Sequence, residues 1–530
     1  MITEKGKVLQ SVLIDNGYKN GKFEVDSSGV INLIASKSTS APSISFELEK
    51  ENNFYKIRVS RNVKGEQTVK DCVDLEIGKT FWYGGPQNRF QYWPIERANF
   101  TNFSYVSKEE LNSAVPERYW LNSRGVFFYI NETVPLFIDQ NSVETEVNET
   151  NVKDYANKII SNQFNNSQFE IDDDWEDCYG ALTFRKNKFP DIKKLTDWLK
   201  EKGFRVTLWI HPFINTNCTE IFNIAKSKKY LVTDDKGEVL TKWWNSKPNE
   251  AAYIDFTNPE AAEWFYNRVK RLRDQDGIDS FKFDAGETSW IPKNSKLTGP
   301  ANQSPNLILA KYIETVSKFG KIVEVRSAQG TQSYPIFLRM IDKDTDWTWN
   351  NGLPTLITTL FQLNLGGYSF ILPDMIGGNG YNNNTPDKEI FIRWLQANVF
   401  MPSLQFSYVP WMYDAETINI SLKYTKLHDN ITNYIMERFQ KVVETGEPTN
   451  PPLWWIDPED IIAQQITDQF LLGDKYVVAP VIVKGARVRD IYLPKGTWRD
   501  GNTNDIHIGP KWIMNYPAPI ATLPYFERTN

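Results

Sequence analysis

The stretch SFKFDAGETSW, residues 280–290, decides the fold class of this chain. Successive side chains of a β-strand point to opposite faces, so Phe281 and Phe283 share one face while Lys282 and Asp284 share the other. We expect such a strand to bury its aromatic face against a layer of helices and to turn its charged face toward an interior. The Ala-Gly pair that follows predicts that the chain turns directly after Asp284.

Three other predicted strands show the same alternation, with polar or charged side chains on the inward face. The inward sets are Glu170 and Asp172 in FEID, Thr207, Trp209 and His211 in VTLWIH, and Glu324 and Arg326 in VEVR. Four strands therefore predict a charged interior, with the charges at the carboxyl ends of the strands. Burying a charged side chain is unfavourable unless it is paired with an opposite charge or has a function. Glu170, Glu324 and Lys282 could therefore belong either to a salt-bridged interior or to a functional site.

Strands and amphipathic helices alternate between about residues 167 and 407. Eight segments in this region predict strands, namely FEIDDDW, FRVTLWIHPF, AAYIDF, SFKFDAG, KIVEVRS, FLRMID, GYSFILPD and VFMPSLQFS. This number and spacing are typical of a (β/α)8 TIM barrel, an α/β fold. The alternative is a doubly wound open sheet.

The segments on either side of this region contain strands without intervening helices. Before residue 150, segments such as SISFELEK and FYKIRVS predict an antiparallel β-sandwich. After the proline-rich GEPTNPP, the segments DKYVVAPVIV and VRDIYLPKGTW predict a C-terminal β-sandwich domain. We therefore expect three domains: the N-terminal β-sandwich over residues 1–150, the catalytic barrel over 151–445 and the C-terminal domain over 446–530.

The composition narrows the class of protein. The 530 residues include 60 Lys and Arg against 66 Asp and Glu, a net charge of −6 without a basic run, so no nucleic-acid partner is expected. Aromatic residues make up 14% of the chain, which fits a large core and, better, a protein that packs flat rings against sugars. The expected partner is an oligosaccharide or glycoside substrate, and the sequence is compatible with a homo-oligomer.

The cysteine and histidine content predicts no metal site. Three cysteines form no C-x-x-C pair, at most one disulfide can form, and three histidines make no zinc cluster. No apolar run reaches the length of a membrane span, and the first residues lack the apolar core of a signal peptide. Ten glycosylation sequons still favour a secreted or secretory-lumen glycoprotein over a cytoplasmic one, and they begin at Asn99, Asn102, Asn131, Asn148, Asn165, Asn217, Asn302, Asn383, Asn419 and Asn430.

Asp284 is the strongest candidate for a catalytic side chain. It lies at the end of its strand, and the active sites of TIM barrels lie at the carboxyl ends of the strands. A carboxylate beside cations stays ionised and can act as a nucleophile. Glycoside hydrolysis needs a second carboxyl group, and strand alternation does not choose among the candidates Asp342, Asp344, Asp346 and Asp374.

Several motifs together resemble glycoside hydrolase family 31 and, within it, the branch of the myogenesis-regulating glycosidase. They are SFKFDAGE, EVRS, FLRMIDKD, LGGYSFILPDMIGG, RWLQANVFMPSLQFS and QFLLGDKYVVAPVIVKGARVRDIYLPKGTW. WYGGPQNRFQYWPIE extends the resemblance into the N-terminal domain, so it covers nearly the whole chain. The combination of motifs is specific, whereas DAGE alone is not.

The resemblance implies a role for each matching residue. Asp284 matches the nucleophile, Asp342 matches the general acid/base of this branch, and Arg326 matches an arginine that contacts the sugar and the nucleophile. The other substrate-binding positions are Asp172 and Asp173 for distal hydroxyl groups, the pocket-wall residues Trp209 and Trp244, and Lys282 and Asp374. Alternatives are Trp243 in place of Trp244, a plain core role for the tryptophans, and a hydrogen-bonding scaffold role for His211.

The chain departs from typical α-glucosidases of the family at two places. MIDKDTDW replaces their Trp-Ser/Pro-Gly-Asp-Asn motif, and Gln405, Phe406 and Ser407 replace an Arg-Asn-His that touches the sugar. The branch resemblance therefore implies a retaining exo-α-glycosidase, first an α-galactosidase, that needs no metal or organic cofactor. The alternatives are an α-glucosidase, a sulfoquinovosidase-like specificity, or a catalytically silent carbohydrate-binding or processing partner, which the presence of both carboxyl groups disfavours.

Overall fold

The computed structural model describes residues 148–300, 306–381 and 384–529 throughout. Before residue 147 it describes the backbone of β-strands and a few of their side chains. The chain divides into two compact units, residues 1–146 and 147–530, and each is described by itself.

The described strands of the N-terminal unit pair in antiparallel fashion. They are β1 (Ile2–Glu4), β2 (Lys7–Gln10), β3 (Val12–Ile14), β4 (Gly21–Val25), β5 (Ile31–Ala35), β6 (Ser43–Glu51), β7 (Phe54–Asn62), β8 (Asp71–Val73), β9 (Trp82–Gly84), β10 (Phe100–Ser104), β11 (Tyr119–Asn122), β12 (Phe127–Tyr129) and β13 (Phe137–Gln140). One four-stranded sheet has the order β4-β5-β6-β7. The predicted antiparallel pairing is confirmed, while the predicted sandwich packing concerns side chains outside the described residues.

The second unit contains a parallel sheet with helices between its strands. The strands of this region are β14 (Gln168–Ile171), β15 (Arg205–Ile210), β16 (Phe213–Asn215), β17 (Ala251–Tyr253), β18 (Ser280–Phe283), β19 (Glu324–Val325), β20 (Phe337–Arg339) and β21 (Ile371–Leu372). The helices are α1 (Glu149–Ser161), α2 (Ile192–Glu201), α3 (Thr219–Ser227), α4 (Pro259–Asp276), α5 (Asn306–Ser317), α6 (Thr355–Leu365) and α7 (Lys388–Asn398). The order β14-β15-β18-β19-β20-β21, all parallel, is that of the wall of a (β/α)8 barrel.

Two of the eight predicted barrel strands differ from the structure. The segment AAYIDF contributes β17, which pairs antiparallel with β16, so that β15 lies directly beside β18. The segment VFMPSLQFS is reduced to one parallel bridge, between Met375 and Gln405. A short buried apolar run predicts a buried strand but does not identify its partner. Here the short strand β16 follows β15, and β17 folds back to pair with β16.

The alternation predicted for β18 is confirmed. Phe281 and Phe283 are buried and pack against the Phe319 ring, with centroids 5.0 and 5.6 Å away, on the helix side. Lys282 faces the other way and pairs in register with Trp209 of β15 and Glu324 of β19. The apolar face of the strand therefore forms core, and the charged face is left for the interior of the barrel.

The chain ends in a second, antiparallel sheet. After the helices α8 (Ala415–Thr445) and α9 (Ile461–Gln465) come β22 (Phe470–Leu472), β23 (Tyr476–Val478), β24 (Val488–Asp500), β25 (Ile506–Pro517) and β26 (Tyr525–Arg528). The sheet order is β22-β23-β26-β24-β25, and buried Trp498 and Phe526 belong to its core. This agrees with the predicted C-terminal β-domain. Among the described residues, no helix is both long and apolar enough to cross a bilayer.

The turn after β18 places Asp284 at the carboxyl end of the parallel strands. Ala285 and Gly286 both have positive φ values, 58° and 99°, so the chain bends sharply after the aspartate. The Ser327 hydroxyl donates to the Ala285 carbonyl at 2.6 Å and fixes the bend to the end of the next strand. A Cβ on Gly286 would collide with Ser327 Oγ and lie 3.1 Å from the Tyr312 ring. Only glycine fits this turn without a shift of its neighbours.

Replacement of Gly286 should lower the free energy of unfolding. Gly286→Ala adds a Cβ to a left-handed residue and forces it against Ser327, so we expect a loss of about 3 kcal/mol in the free energy of unfolding. Gly203→Ala is the matched control, because Gly203 has a similar φ of 89° and nothing within 4 Å of its ideal Cβ. We expect about 1 kcal/mol there. Denaturant unfolding would measure both, and equal losses would contradict the steric role of Gly286.

Candidate active site

One carboxylate oxygen of Asp284 lies beside two arginines, and the other accepts a hydrogen bond from a tryptophan. The Trp209 indole donates to Oδ2 at 2.9 Å, Arg339 Nη2 donates to Oδ1 at 3.1 Å, and Arg326 Nε lies 3.3 Å from Oδ1. Burial raises the pKa of Asp284, but Arg339 and Arg326 outweigh this effect and the pKa is lowered. Asp284 is therefore a buried, ionised carboxylate, which is the state that a nucleophile needs.

Arg339, the last residue of β20, is shared by four acidic side chains. Its Nη2 binds Asp284, while Nη1 donates to Asp342 Oδ1 at 2.8 Å and to Asp374 Oδ1 at 2.9 Å. Its Nε lies 3.3 Å from Glu324 Oε1. The acids thus converge on a guanidinium group. Within the described ranges, no group of three or more His, Cys, Asp or Glu side chains is arranged to hold a metal ion.

Asp342 is the more exposed of the two predicted catalytic carboxyl groups. Its side chain is 24% exposed against 10% for Asp284. Arg339 holds Oδ1, Tyr381 donates its hydroxyl to Oδ2, and Arg326 Nη1 lies 3.9 Å from Oδ1. Burial raises the pKa of Asp342, but Arg339 and the Tyr381 hydrogen bond lower it further than burial raises it. The structure therefore brings Asp284 and Asp342 to the same guanidinium.

The other candidates for the second carboxyl group have different surroundings. Asp344 accepts from Asn351 Nδ2 at 3.3 Å, and Asp346 accepts from the Thr348 backbone at 2.8 Å, both within their own loop. Asp374 is fully buried, and burial raises its pKa. Besides Arg339, it accepts from the Lys343 backbone at 3.0 Å. This burial favours a role in positioning Arg339 over the substrate contact that the resemblance implies.

Lys282 joins two acids of the first barrel strand. Its Nζ lies 2.9 Å from Glu170 Oε1 and 2.7 Å from Asp172 Oδ2. Burial raises the pKa of Glu170, whereas the charge of Lys282 outweighs burial at Asp172 and lowers its pKa. Glu170 and Lys282 are therefore salt-bridged, one of the two interpretations left open by the sequence. The Asp172 side chain is 46% exposed and can still reach a substrate.

Asp173 has both oxygens occupied by neighbouring side chains. The Tyr179 hydroxyl donates to Oδ1 at 2.7 Å, and Asn245 Nδ2 donates to Oδ2 at 2.8 Å. Tyr179 follows Cys178, which forms a disulfide with Cys218. Asp173 is thus bound into the loop after β14, and Asp172 is the better placed of the pair for a sugar hydroxyl.

The tryptophans divide between core and pocket wall. Trp209 is buried and acts on Asp284 through its indole nitrogen. Trp243 is buried and donates to Asn215 Oδ1 at 2.7 Å, as a core residue would. Trp244 is 41% exposed, and the Arg326 guanidinium lies 4.8 Å from its ring centroid. Between the two alternatives, Trp244 has the exposure that a pocket wall requires.

His211 is a buried scaffold residue. Its Nδ1 accepts from the Phe213 backbone at 3.2 Å, so Nε2 carries the hydrogen and donates to Glu176 Oε1 at 2.9 Å. The other oxygen of Glu176 accepts from the backbone of Gly180 and Leu182. His211 therefore supports the loop after β14 and has no exposed edge for a substrate.

Sequence reasoning missed Arg339, Tyr381 and Glu287. Arg339 could have been found, because Leu338 pairs in register with the outward-facing Val325, which turns Arg339 inward. Glu287 accepts from Arg326 Nε at 2.8 Å and lies three residues after Asp284 in the quoted motif. Tyr381 reaches Asp342 from the loop after β21, and no spacing in the sequence indicates that contact.

Gln405 and Ser407, which the resemblance aligns with the Arg-Asn-His of α-glucosidases, follow α7 in the chain. Gln405 bridges to Met375, and the Gln405 carbonyl accepts from the Ile376 backbone at 2.9 Å. Ser407 is exposed. Neither residue is among the groups that contact Asp284 or Asp342 in the described structure.

Comparison with known protein families agrees with this arrangement. The chain matches the glycosyl hydrolases family 31 TIM-barrel domain over residues 138–437 and the glycosyl hydrolase family 31 C-terminal domain over residues 446–530. The first match contains the parallel sheet with both catalytic candidates, and the second contains the C-terminal antiparallel sheet.

Individual relatives support the same assignment. The myogenesis-regulating glycosidase of Mus musculus is 32% identical, with 89% of this chain and 78% of that protein aligned. The SITS-binding protein of Tetronarce californica is 25% identical, with 87% and 76% aligned. The crystal structure of a GH31 α-xylosidase from a soil metagenome, complexed with xylose, shares the fold at a TM-score of 0.66 and 18% identity, covering 99% of this chain and 86% of that one. This chain therefore belongs to glycoside hydrolase family 31 and is a glycoside hydrolase.

Proposed function

We propose that this enzyme is a retaining, exo-acting α-glycosidase that prefers terminal α-galactosides. The observation that carries the proposal is the pair Asp284 and Asp342, held by one guanidinium where β18 and β20 end. Arg339 reaches Asp284 with Nη2 and Asp342 with Nη1, so the two carboxyl groups flank one small space. We therefore expect these two carboxyl groups to lie about 5–5.5 Å apart, as in retaining glycosidases. Inverting glycosidases place them about 6.5–9.5 Å apart.

In the first step Asp284 attacks the anomeric carbon. A bond forms between that carbon and a carboxylate oxygen of Asp284, while the bond to the leaving oxygen breaks. Asp342 enters this step protonated and gives its proton to the leaving oxygen, so the aglycone departs as a neutral alcohol. Trp209 and Arg326 orient the Asp284 carboxylate for the attack.

In the second step water releases the sugar. Asp342, now ionised, takes a proton from a water molecule whose oxygen bonds to the anomeric carbon. The ester bond to Asp284 breaks and restores its carboxylate. Two successive inversions leave the released sugar with its original α-configuration. Arg339 holds Oδ1 of Asp342, which keeps that side chain in place for both steps.

The inner end of the site fits a terminal sugar. Lys282 is buried and salt-bridged to Glu170 and Asp172, so we expect the site to be closed at this end and a polysaccharide chain to stop there. Asp172 offers a half-exposed carboxylate to distal hydroxyl groups, and Trp244 offers a ring face beside Arg326. These features support exo action on one terminal residue.

The choice of galactose depends on the branch resemblance and on one substitution. Exposed Ser407 stands where α-glucosidases of the family carry a sugar-binding histidine. An anionic sulfosugar is disfavoured, because Lys282, Arg326 and Arg339 are already ion-paired with carboxylates. An α-glucosidase remains the second candidate. The SITS-binding protein is named for binding, so a binding role without catalysis is the alternative from a different class. The presence of both carboxyl groups argues against a catalytically inactive protein here.

The two carboxyl groups can be tested by matched amide variants. We expect Asp284→Asn to retain less than about 1% of the activity, because the nucleophile is lost, with the melting temperature close to that of the wild type. Asp342→Asn should lose about 10²–10⁴-fold on ordinary glycosides, and much less on substrates whose leaving group needs no proton. Asp344→Asn is the control and should stay active. Activity of more than a few per cent in Asp284→Asn would rule out its role.

A panel of nitrophenyl glycosides tests sugar and stereochemistry together. We expect the α-galactoside to be hydrolysed well above the α-glucoside at equal concentration, because pocket groups paired to one C4 epimer are left unpaired by the other. NMR during turnover should show the α-anomer first. Faster cleavage of the α-glucoside would exclude the galactose assignment alone, and early β-anomer would exclude retention.

We also propose a secreted or secretory-lumen location. The Cys178–Cys218 disulfide, with Cα atoms 5.6 Å apart, persists in oxidising compartments, and the sequons point the same way. After blocking of free thiols, mass spectrometry of the natural protein should recover the two cysteines as one linked peptide. Both cysteines recovered as blocked thiols would favour the cytoplasm and count against this location.

A further inference from the structure

Both oxygens of Asp342 accept from donors, one from a buried side chain and one from an exposed side chain. Arg339 donates to Oδ1 from the inner end of the site. Tyr381 donates to Oδ2 and is itself 50% exposed, so this oxygen lies on the outer side. A leaving group enters and departs from the outer side, because the sugar occupies the inner one. Oδ2 is therefore the oxygen that handles the proton, and Tyr381 is bound to it.

The contact between Tyr381 and Asp342 is built into two loops. The Asn379 backbone donates to the Lys343 carbonyl at 2.9 Å, and its side chain donates to the same oxygen at 3.1 Å. The Gly380 backbone donates to Thr345 Oγ1 at 3.0 Å. These bonds tie the residues just before Tyr381 to the residues just after Asp342. The tyrosine hydroxyl is therefore presented to the carboxylate by the backbone.

Glycine at position 380 is required for this approach. Its φ is +65°, and a Cβ there would collide with the Tyr408 hydroxyl. Tyr408 is half-buried and packs against the same loop, and its hydroxyl has no contact with Asp342 among the described interactions. Tyr381 and Tyr408 thus border one loop and differ in whether they reach the carboxylate.

The groups that face Asp342 are mostly arranged to keep it ionised. Arg339 and Arg326 carry positive charge, and Tyr381 donates a hydrogen bond, while the neighbouring acids oppose ionisation. Among the described residues, the charged or titratable groups around Asp342 include Arg339 on β20, Arg326 after β19, Asp284 after β18, Asp374 and Tyr381 after β21, and Lys343 and Asp344 next in the chain. Among these, Tyr381 is the one whose contact with Asp342 a substrate on the outer side can replace.

We propose that Tyr381 is a positioning residue for the acid/base, holding Oδ2 of Asp342 toward the leaving group and favouring its ionised form. This inference rests on the proposed function of Asp342. Tyr381 keeps its own proton throughout: its hydroxyl donates to Oδ2 when Asp342 acts as a base, and it yields Oδ2 to the leaving oxygen when Asp342 acts as an acid. The proton that Asp342 donates comes from solvent before substrate binds.

The pH profile of Tyr381→Phe tests the proposal. The high-pH limb of kcat/KM reports loss of the Asp342 proton in the free enzyme. Tyr381 lowers the pKa of Asp342, so its removal should raise that pKa and move the limb to higher pH. We expect about one pH unit, the effect of one hydrogen bond to a charged group. The assay uses whichever nitrophenyl glycoside is cleaved fastest, so the sugar assignment does not affect it.

Two further measurements make the result decisive. Tyr408→Phe is the control and should leave the limb in place, because it removes a hydroxyl at the same loop without touching Asp342. Carbodiimide labelling of Asp342, located by mass spectrometry at a series of pH values, follows its protonation without turnover. An unchanged midpoint in Tyr381→Phe, or an equal shift in Tyr408→Phe, overturns the proposal. A shifted midpoint in a protein that cleaves no glycoside supports the positioning role and contradicts the proposed function instead.

Discussion

The attraction between Arg339 and the acids around it sets the state of the whole pocket. A carboxylate withdrawn from water is unfavourable unless a cation lies close by, and one guanidinium with fixed geometry serves four acids here. Because its donors lie in one plane, the acids can approach only from set directions. Loss of this cation would leave several buried charges without a partner, so the structure of the site and its chemistry depend on the same side chain.

The pocket acids separate into two sets with opposite shifts. The pKa values of Asp172, Asp284 and Asp342 are lowered, because Lys282 or the arginines outweigh burial. Burial raises the pKa of Glu170, Asp173, Glu324 and Asp374. The first set includes the partly exposed side chains of Asp172, at 46%, and Asp342, at 24%. The second set includes the two most deeply buried side chains, Glu324 and Asp374. Proteins commonly separate the pKa values of neighbouring acids in this way to assign them different tasks.

How much of this site the sequence predicts depends on whether a side chain lies on a regular strand or in a loop. Strand alternation placed Lys282 and Asp284 inward, because period two is a property of the backbone itself. It failed for AAYIDF, whose three-residue strand β17 is buried against β16, since burial alone does not name a partner. The same alternation places Arg339 inward, so its position could also have been predicted. The position of Tyr381 could not, because its contact depends on how two loops meet in space.

The disulfide has a consequence for how the enzyme would respond to reduction. It links residues 40 positions apart, so its loss would free the unfolded chain by about 4 kcal/mol in the chain-entropy account. Within the folded protein, Cys178 adjoins Tyr179, which holds Asp173, whereas Asp284 and Asp342 are held from other strands. Opening this bond would first loosen the loop that carries Asp173 and leave the contacts of Asp284 and Asp342 in place. The loop and the carboxylate pair would then respond separately to the redox state of the surroundings.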